Sequence, residues 1–296
     1  MVLDRRGMGW LGRILLVALV AVLFWGPYYA FFAPKDAAPF VPPVAEDGDY
    51  VAVDYRGWFP DTDRTFDTSI EAVAKENASF QKAASFTYRT GAGAYEPLGF
   101  VMACSATPGC PLPAFQGAVR GMRAGESRVF SLPPEKAYGL SDPDRIHVRP
   151  LLESIPATET MNESAFQAKF MTRPVDGSII SDWVWGWNAT VRVSGDRVTV
   201  RHSPILGQTV TVSGKWSGQV VAIDDAANGG EGAITVRHLL TGADENEFVA
   251  ADREGNLIVV AVDASAGTFT VDYNQEVVGK TLAFEITLRS VRKGNP

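Results

Sequence analysis

The residues of this chain that could perform chemistry lie in short motifs rich in aromatic side chains. These motifs read VAVDYRG from Val51, FDTS from Phe66, GMRAGE from Gly121 and LPPEKAYG from Leu132, and a last strand-like segment, KTLAFEITLRSV, begins at Lys280. The sequence has no Gly-x-Ser-x-Gly elbow and no His-Glu-x-x-His helix, so nothing in it supports hydrolysis. Its three histidines are scattered and none is near a cysteine, so no metal site is expected.

Taken in this order, the motifs resemble the FKBP-type peptidyl-prolyl cis-trans isomerases. The displacement of the last strand to Lys280–Val291 resembles the SlyD-like branch, in which an extra domain is inserted at the flap beside the active site. The resemblance implies an α+β fold: an antiparallel sheet wrapped around a short helix and interrupted by an inserted β-rich domain. It implies isomerisation of X-Pro bonds without a cofactor, coupled to the holding of unfolded chains.

That reaction needs neither a nucleophile nor a proton relay. Resonance opposes rotation about the amide C–N bond with a barrier of ~18–20 kcal/mol. An apolar pocket that grips the prolyl ring, with a few polar groups for the displaced carbonyl, favours the twisted state. We therefore expect a bowl of aromatic side chains with one or two polar residues at its rim.

The resemblance assigns eight residues to the family's pocket positions: Tyr55, Phe66, Asp67, Phe86, Leu112, Phe115, Tyr138 and Phe284. The four phenylalanines would line the proline pocket, with Phe115 where many family members have tryptophan. Asp67 and Tyr138 would be polar rim groups, and Tyr55 would support Asp67. The backbone N–H of Leu112 would bind the ligand, and an extension of some twenty residues separates Leu112 from Gly91. Taken singly, a Phe is more often a core residue than a ligand contact, and an Asp in FDTS is by default a turn former.

Local patterns predict the elements that position these residues. Apolar residues alternate in VAVDY from Val51, and further strands are expected at Phe86–Thr90 and in SRVFSL from Ser127. A short helix is expected over Phe115–Met122. A second helix is expected at Ser164–Phe170.

Residues 150–266 are predicted to form the inserted β-rich domain. A hairpin is expected at Thr190–His202, around the turn that contains Gly195, and no internal repeat is apparent. Three tryptophans, Trp183, Trp185 and Trp187, would share one face of a strand. They would form either the core of the insert or an exposed apolar surface for unfolded segments.

The chain is expected to be anchored in a membrane through its N-terminus. Ile14–Ala33 contains no charged residue and is about long enough to cross ~30 Å of hydrocarbon. Arginines precede the segment, so the positive-inside rule puts the N-terminus in the cytoplasm and the folded domains outside. A cleaved signal peptide is the alternative.

The predicted organisation has five parts. Residues 1–35 are the cytoplasmic stub and transmembrane anchor, and 36–48 a Pro-rich linker. Residues 49–149 are the first part of the isomerase domain and 150–266 are the insert. Residues 267–292 are the final strand of the isomerase domain.

The cysteines and the sequons agree with an extracytoplasmic location, and the charge argues against a nucleic-acid surface. The chain carries −7, while its first 35 residues carry about +3, so the remainder is strongly acidic and no nucleic-acid partner is expected. Cys104 and Cys110 are close enough for a disulfide outside the cytoplasm, two free thiols being the alternative. Sequons at Asn77, Asn162 and Asn188 are potential glycan sites.

The partners expected are unfolded or proline-containing polypeptides and, through the N-terminal helix, a membrane. The sequence contains no indication of an oligomeric state. Two alternatives remain open for the function: a non-catalytic holdase or binding module on the same fold, and a structural scaffold. Asp67 and Tyr138 argue against the scaffold, which has no need of a polar rim.

Overall fold

A computed structural model of the chain describes residues 42–105 and 108–294. Its first sheet has five antiparallel strands, with β2–β1–β17–β4 in order and β3 also pairing with β1. The strands are β1 (Tyr50–Trp58), β2 (Thr65–Thr68), β3 (Leu98–Val101), β4 (Ser127–Leu132) and β17 (Leu282–Arg292). The last segment of the sequence therefore closes a sheet that the first segment begins, and the core between them is apolar.

Two short helices accompany this sheet, α1 (Glu71–Lys75) and α2 (Pro113–Val119). Helix α2 begins two residues before the predicted start, because the fixed φ of Pro113 suits a first helical turn. It ends three residues early, just before Gly121, whose φ of +80° is outside the helical region. Phe115 and Val119 on α2 are buried against the sheet.

The strand predicted at Phe86–Thr90 is absent. The backbone N–H of Ser85, just before it, donates to Glu276 Oε2 at 2.8 Å, and that of Arg89 donates to Tyr95 Oη at 3.0 Å. The Ser85 and Arg89 amides are thus taken by side chains, and the Phe86 N–H donates to the Ala83 carbonyl, so no regular ladder forms. The prediction of a strand was therefore wrong. The segment is instead an irregular stretch that carries two aromatic residues, Phe86 and Tyr88.

Part of the predicted linker packs against the folded domain. Ala45 is fully buried, its N–H donates to the Met122 carbonyl, and its own carbonyl accepts from the Gly121 N–H. Gly48 donates to the Met102 carbonyl. The contacts of the first sheet's domain therefore include Val44 and Ala45, a few residues before β1.

Residues 146–272 form three four-stranded antiparallel sheets. Their orders are β7–β10–β9–β8, β11–β12–β13–β6 and β14–β15–β16–β5. The strands are β5 (Ile146–Pro150), β6 (Leu152–Pro156), β7 (Thr158–Asn162), β8 (Ile179–Asp182), β9 (Trp187–Ser194), β10 (Arg197–His202), β11 (Thr209–Val212), β12 (Trp216–Asp224), β13 (Ala233–His238), β14 (Val249–Asp252), β15 (Gly255–Asp263) and β16 (Thr268–Asp272). Helix α3 (Glu163–Phe170) follows β7 and is capped by the side chain of Asn162.

These sheets repeat one arrangement three times. Three consecutive strands form each sheet, and β5, β6 and β7 each add a fourth strand to a different one. The expectation of no internal repeat was therefore wrong, and the sequence does carry one trace of it: Thr-Val-Arg-His ends β10 and again ends β13. β5 and β16 lie outside the predicted 150–266 range, but they share a sheet with β15 inside it. The division into domains stays a prediction.

The tryptophans of this region belong mostly to its core. Trp185 and Trp187 are 4% and 2% exposed and their rings stack at 5.4 Å. Trp183 is partly buried against the same cluster. The hypothesis that they form an exposed surface is therefore wrong for Trp185 and Trp187. Only Trp187 lies in a strand, because a turn occupies 183–186.

The predicted anchor, Ile14–Ala33, lies outside the described residues. In 42–105 and 108–294, no helix combines the length and the hydropathy that crossing a membrane requires.

Candidate active site

Three of the predicted pocket residues meet in one aromatic cluster. Phe284 lies in β17, with its ring centroid 5.4 Å from that of Phe115 and 5.6 Å from that of Phe66. Both pairs are nearly perpendicular, an arrangement that aromatic rings prefer. Phe115 and Phe284 are buried, and Phe66 is partly exposed. The cluster therefore forms an apolar floor with one ring near the surface.

A glycine lets the rings lie this close to β1. A Cβ built on Gly57 would come within 2.5 Å of the Phe66 ring and 3.0 Å of the Phe284 ring. Contacts so short force the rings to move. Glycine in the DYRG motif is thus needed for the shape of the floor.

Asp67, the residue after Phe66, carries the polar side of the site. Its Oδ2 accepts a hydrogen bond of 2.6 Å from Tyr55 Oη, and its Oδ1 accepts 2.9 Å from the Thr68 N–H. Arg89 Nη2 donates to Asp67 Oδ1 at 2.6 Å and to Tyr55 Oη at 2.9 Å. The Asp67 side chain is 44% exposed, so the carboxylate is held in place yet reachable. The structure thus joins Tyr55 to Asp67, as the resemblance implies.

Two phenols stand beside this carboxylate. Burial, followed by the charge of Asp67, raises the pKa of Tyr55. The same two causes raise the pKa of Tyr138, which is 49% exposed. Tyr138 follows the short turn Pro134–Lys136 and precedes Gly139 at φ +85°. Both phenols therefore keep their protons at neutral pH and can donate hydrogen bonds.

Leu112 is the residue immediately before α2 and is partly buried against the same core. Its carbonyl accepts from the Gln116 N–H, whereas its own N–H has no hydrogen-bond partner within the described residues. The buried Gln116 side chain donates to the carbonyls of Cys104 and Pro111 at 3.1 and 3.0 Å. Cys104 and Cys110 are joined by the disulfide that the sequence suggested. The cross-linked loop thus leads directly to Leu112.

Phe86 is not brought into the cluster. Its ring lies 5.0 Å from that of Tyr88, and no ring contact in the described residues joins it to Phe66, Phe115 or Phe284. Instead it lines a cavity together with Phe248 and Val249, which precede and begin β14. The structure therefore places Phe86 apart from the three phenylalanines that meet, and its assignment to the pocket stays a prediction.

Sequence reasoning also missed two residues of the site. Phe130 lies opposite Phe284 in the β4–β17 pair and stacks on it at 5.5 Å. The alternation in SRVFSL could have suggested it, but its partner is known only from the register. Arg89 is the second, and only its charge, opposite to that of Asp67, was a signal.

The arrangement can bind an apolar ring and polarise a group beside it. In the described residues, no three His, Cys, Asp or Glu side chains are grouped to hold a metal ion. The apolar floor would take a ring of prolyl size, while the Tyr138 phenol and the Leu112 N–H are the available donors. These are features of a site that stabilises a twisted amide by desolvation and hydrogen bonds.

Comparison with known proteins agrees with this geometry. Residues 42–161 match the model of the family described as FKBP-type peptidyl-prolyl cis-trans isomerase. A stretch of 100 residues is 39% identical to the short-type peptidyl-prolyl cis-trans isomerase of Methanocaldococcus jannaschii. The match covers 33% of this chain and 54% of that relative, so the chain spans about half the length of the protein it resembles. Over residues 42–161 this chain is therefore similar to the FKBP-type peptidyl-prolyl cis-trans isomerases.

Proposed function

We propose that this protein catalyses cis–trans isomerisation of X-Pro bonds in polypeptides. The observation that supports this most directly is the floor formed by Phe66, Phe115 and Phe284, next to a fixed Asp67 carboxylate. The prolyl ring would sit on the floor, out of water. There the resonance that opposes rotation loses the solvation of its charge-separated form. By transition-state arithmetic, each ~1.4 kcal/mol removed from the barrier accelerates rotation tenfold.

The test is proline-limited refolding of an unfolded reporter protein with purified residues 36–296. The comparison is a Tyr138→Ala, Phe115→Ala double variant. A single Tyr138→Phe variant is added because truncation of the buried Phe115 could unfold the domain. Acceleration by the unaltered protein, lost in the double variant and reduced in Tyr138→Phe, supports the proposal. Suppressed aggregation without acceleration would instead indicate a holdase on a silent isomerase fold.

We further propose a SlyD-like organisation in which residues between β5 and β16 capture unfolded chains and deliver their X-Pro bonds to the pocket. Capture raises the local concentration of substrate without new contacts at the catalytic site. The support is a group of exposed apolar side chains from the end of α3 to the first residue of β8. Met171 is 80% exposed, Val175 61% and Ile179 71%.

This second proposal is tested with a Met171→Ser, Val175→Ser, Ile179→Ser variant. We expect unchanged activity on a proline tetrapeptide and reduced activity on an unfolded protein. Val129→Ser is the matched control, since Val129 is 63% exposed and lies on β4 of the first sheet. Equal losses on both substrates, or no loss on the protein, would contradict capture.

We also propose that the chain acts outside the cytoplasm, held to the membrane by Ile14–Ala33. The charge asymmetry around that apolar segment supports this. The Cys104–Cys110 disulfide supports it too, because such bonds persist in oxidising compartments. Intact-mass analysis of protein extracted from membranes is the test: a chain that starts near Asp36 would indicate a cleaved signal peptide.

A further inference from the structure

A groove runs along the seam between the segment 81–88, which follows α1, and the β14–β15 hairpin. Three adjoining cavities of about 200, 440 and 370 Å³ form it. The first two share Ser85, Val249 and Asn256, and the last two share Glu247. We call this continuous space the seam groove. Phe86 and Phe248 make part of its wall apolar.

Both sides of the seam groove present backbone groups without partners. Among the strands of the described residues, β14 is an edge strand that pairs with β15 alone. Across the groove, the amides of Thr87 and Tyr88 make no hydrogen bond within the described residues. An exposed edge and free amides are what an extended peptide needs in order to add as a further strand. The occupant indicated is therefore a stretch of polypeptide.

Charge differs from one end of the seam groove to the other. Arg64 and Lys82 line one end, together with Glu247, which Arg64 already binds. Lys215 lines the middle and is exposed. At the far end Glu276 is buried and accepts from the Ser85 N–H. The end near Lys82 therefore has an excess of positive charge, in a chain whose net charge is −7.

The seam groove adjoins the candidate active site through one short segment. Phe86 and Tyr88 line the groove, and the next residue, Arg89, binds Asp67. The wall of the groove and the arginine that binds the Asp67 carboxylate are thus neighbours in sequence. A substrate of several residues could occupy both at once, since an extended chain covers about 3.3 Å per residue.

We propose that the seam groove binds the substrate segment that flanks the proline, as an extended strand along β14, and that it prefers segments with acidic residues. This inference rests on the proposed isomerase function for its biological meaning. In this arrangement the acidic side chains of the bound substrate lie at the end lined by Lys82 and Arg64 and along Lys215. The apolar wall takes the side chains that alternate with them.

Twelve-residue fluorescent peptides test this with the full chain. Each has a central Ala-Pro flanked by acidic, basic or serine residues, and binding is measured by fluorescence anisotropy in low salt. We expect the acidic peptide to bind about three to ten times more tightly than the basic one, as expected for a few exposed charge pairs. The difference shrinks in about 0.5 M salt because the charges are screened. N-methylation of alternate amides in the flank abolishes the tight binding.

Charge-reversal variants show which residues cause the preference for acidic peptides. Lys215→Glu weakens binding of the acidic peptide severalfold, whereas Arg197→Glu, an exposed reversal in β10, leaves it unchanged. Equal binding of acidic and basic peptides, equal effects of both variants, or indifference to N-methylation would overturn the inference.

An acidic peptide with Ala in place of the proline separates the two proposals. It should still bind and compete, although it has no bond to isomerise. Acid-selective binding without isomerisation of any peptide would refute the isomerase function and leave the groove standing. Isomerisation without a preference for acidic peptides would support the isomerase function and refute the proposal for the groove.

Discussion

Arg89 and Asp67 are 22 positions apart, and their side chains form an ion pair of 2.6 Å at the edge of the aromatic floor. The same guanidinium also reaches Tyr55 Oη, so three groups fix one another. Because Arg89 and Asp67 are both substantially exposed, the pair adds little to stability. We infer that its main effect is on the orientation of Asp67.

Arg89→Ala is therefore expected to lower the proposed isomerase activity about tenfold, a ~1.4 kcal/mol effect on the barrier. The melting temperature should hardly change. Arg89→Lys should recover only part of the activity, since an ammonium cannot reproduce the planar fork. Tetrapeptide kinetics and thermal unfolding measure both effects, with Arg197→Ala as control. A large loss of stability would show that the pair is structural.

Gly57→Ala should disturb the pocket through sterics alone. The added methyl group would meet the Phe66 ring at 2.5 Å, so the ring must move away from Phe284. We expect weaker binding of proline peptides and a loss of about 1–3 kcal/mol in the free energy of unfolding. Gly117→Ala is the control, because nothing lies within 4 Å of its added Cβ. Equal effects of the two substitutions would contradict the steric account.

Ionisation of the two phenols should not change the activity between about pH 7 and 9. Burial, and then the charge of Asp67, raises the pKa of both Tyr55 and Tyr138, so each stays protonated throughout that range. Initial rates with a tetrapeptide across this range provide the measurement. A fall in rate that disappears in Tyr138→Phe would show that Tyr138 loses its proton there.

Acid should destabilise the sheet that contains β7. Glu159 Oε1 lies 2.9 Å from His202 Nε2, and Glu159 also binds Lys169. Burial raises the pKa of Glu159, but these two partners outweigh it and lower the pKa to about 2. A depressed carboxyl pKa stabilises the fold above its unfolded value of 4.5, and this contribution is lost as the pH falls from about 4.5 to 2. Its size is on the order of 2–3 kcal/mol.

Tryptophan fluorescence follows this transition, since Trp187 donates its indole N–H to His202 Nδ1 at 3.1 Å. Urea unfolding monitored at several pH values should show the loss in the unaltered protein. Glu159→Gln should be less stable at neutral pH and should lose less stability over the window than the unaltered protein, with a residual loss from other carboxyls whose pKa values are lowered. The exposed Glu231→Gln serves as control. A normal acid response in Glu159→Gln would assign the transition to other groups.

The Cys104–Cys110 disulfide closes a short loop, so it should contribute only about 2 kcal/mol by the loop-entropy estimate. Its removal in Cys104→Ser, Cys110→Ser should lower the free energy of unfolding by that amount or less. The proposed activity should fall as well, because Gln116 ties α2 to this loop through the Cys104 carbonyl. Treatment of the unaltered protein with a reductant should give the same result. An unchanged activity would separate the loop from the pocket.

Part of this fold could be predicted from sequence because local order determines it. Alternation in VAVDY and SRVFSL identifies β1 and β4, and the FDTS and AYG motifs place Phe66, Asp67 and Tyr138 in the site. The matching family model covers 42–161, and the strands pair as an interrupted sheet requires. The structure brings Phe66, Phe115 and Phe284 together, and the assignment of the eight residues to a catalytic pocket stays a prediction.

Tertiary structure alone decided the rest. Arg89 meets Asp67, and Phe86 lies toward β14, where the backbone at Ser85 is held by the distant Glu276 side chain and that at Arg89 by Tyr95. The threefold repeat depends on β5, β6 and β7 each joining a strand far along the chain. Strand pairing is a contact between distant residues, so the composition of either strand does not reveal its partner. The seam groove has the same origin, since its two walls come from segments more than 150 residues apart.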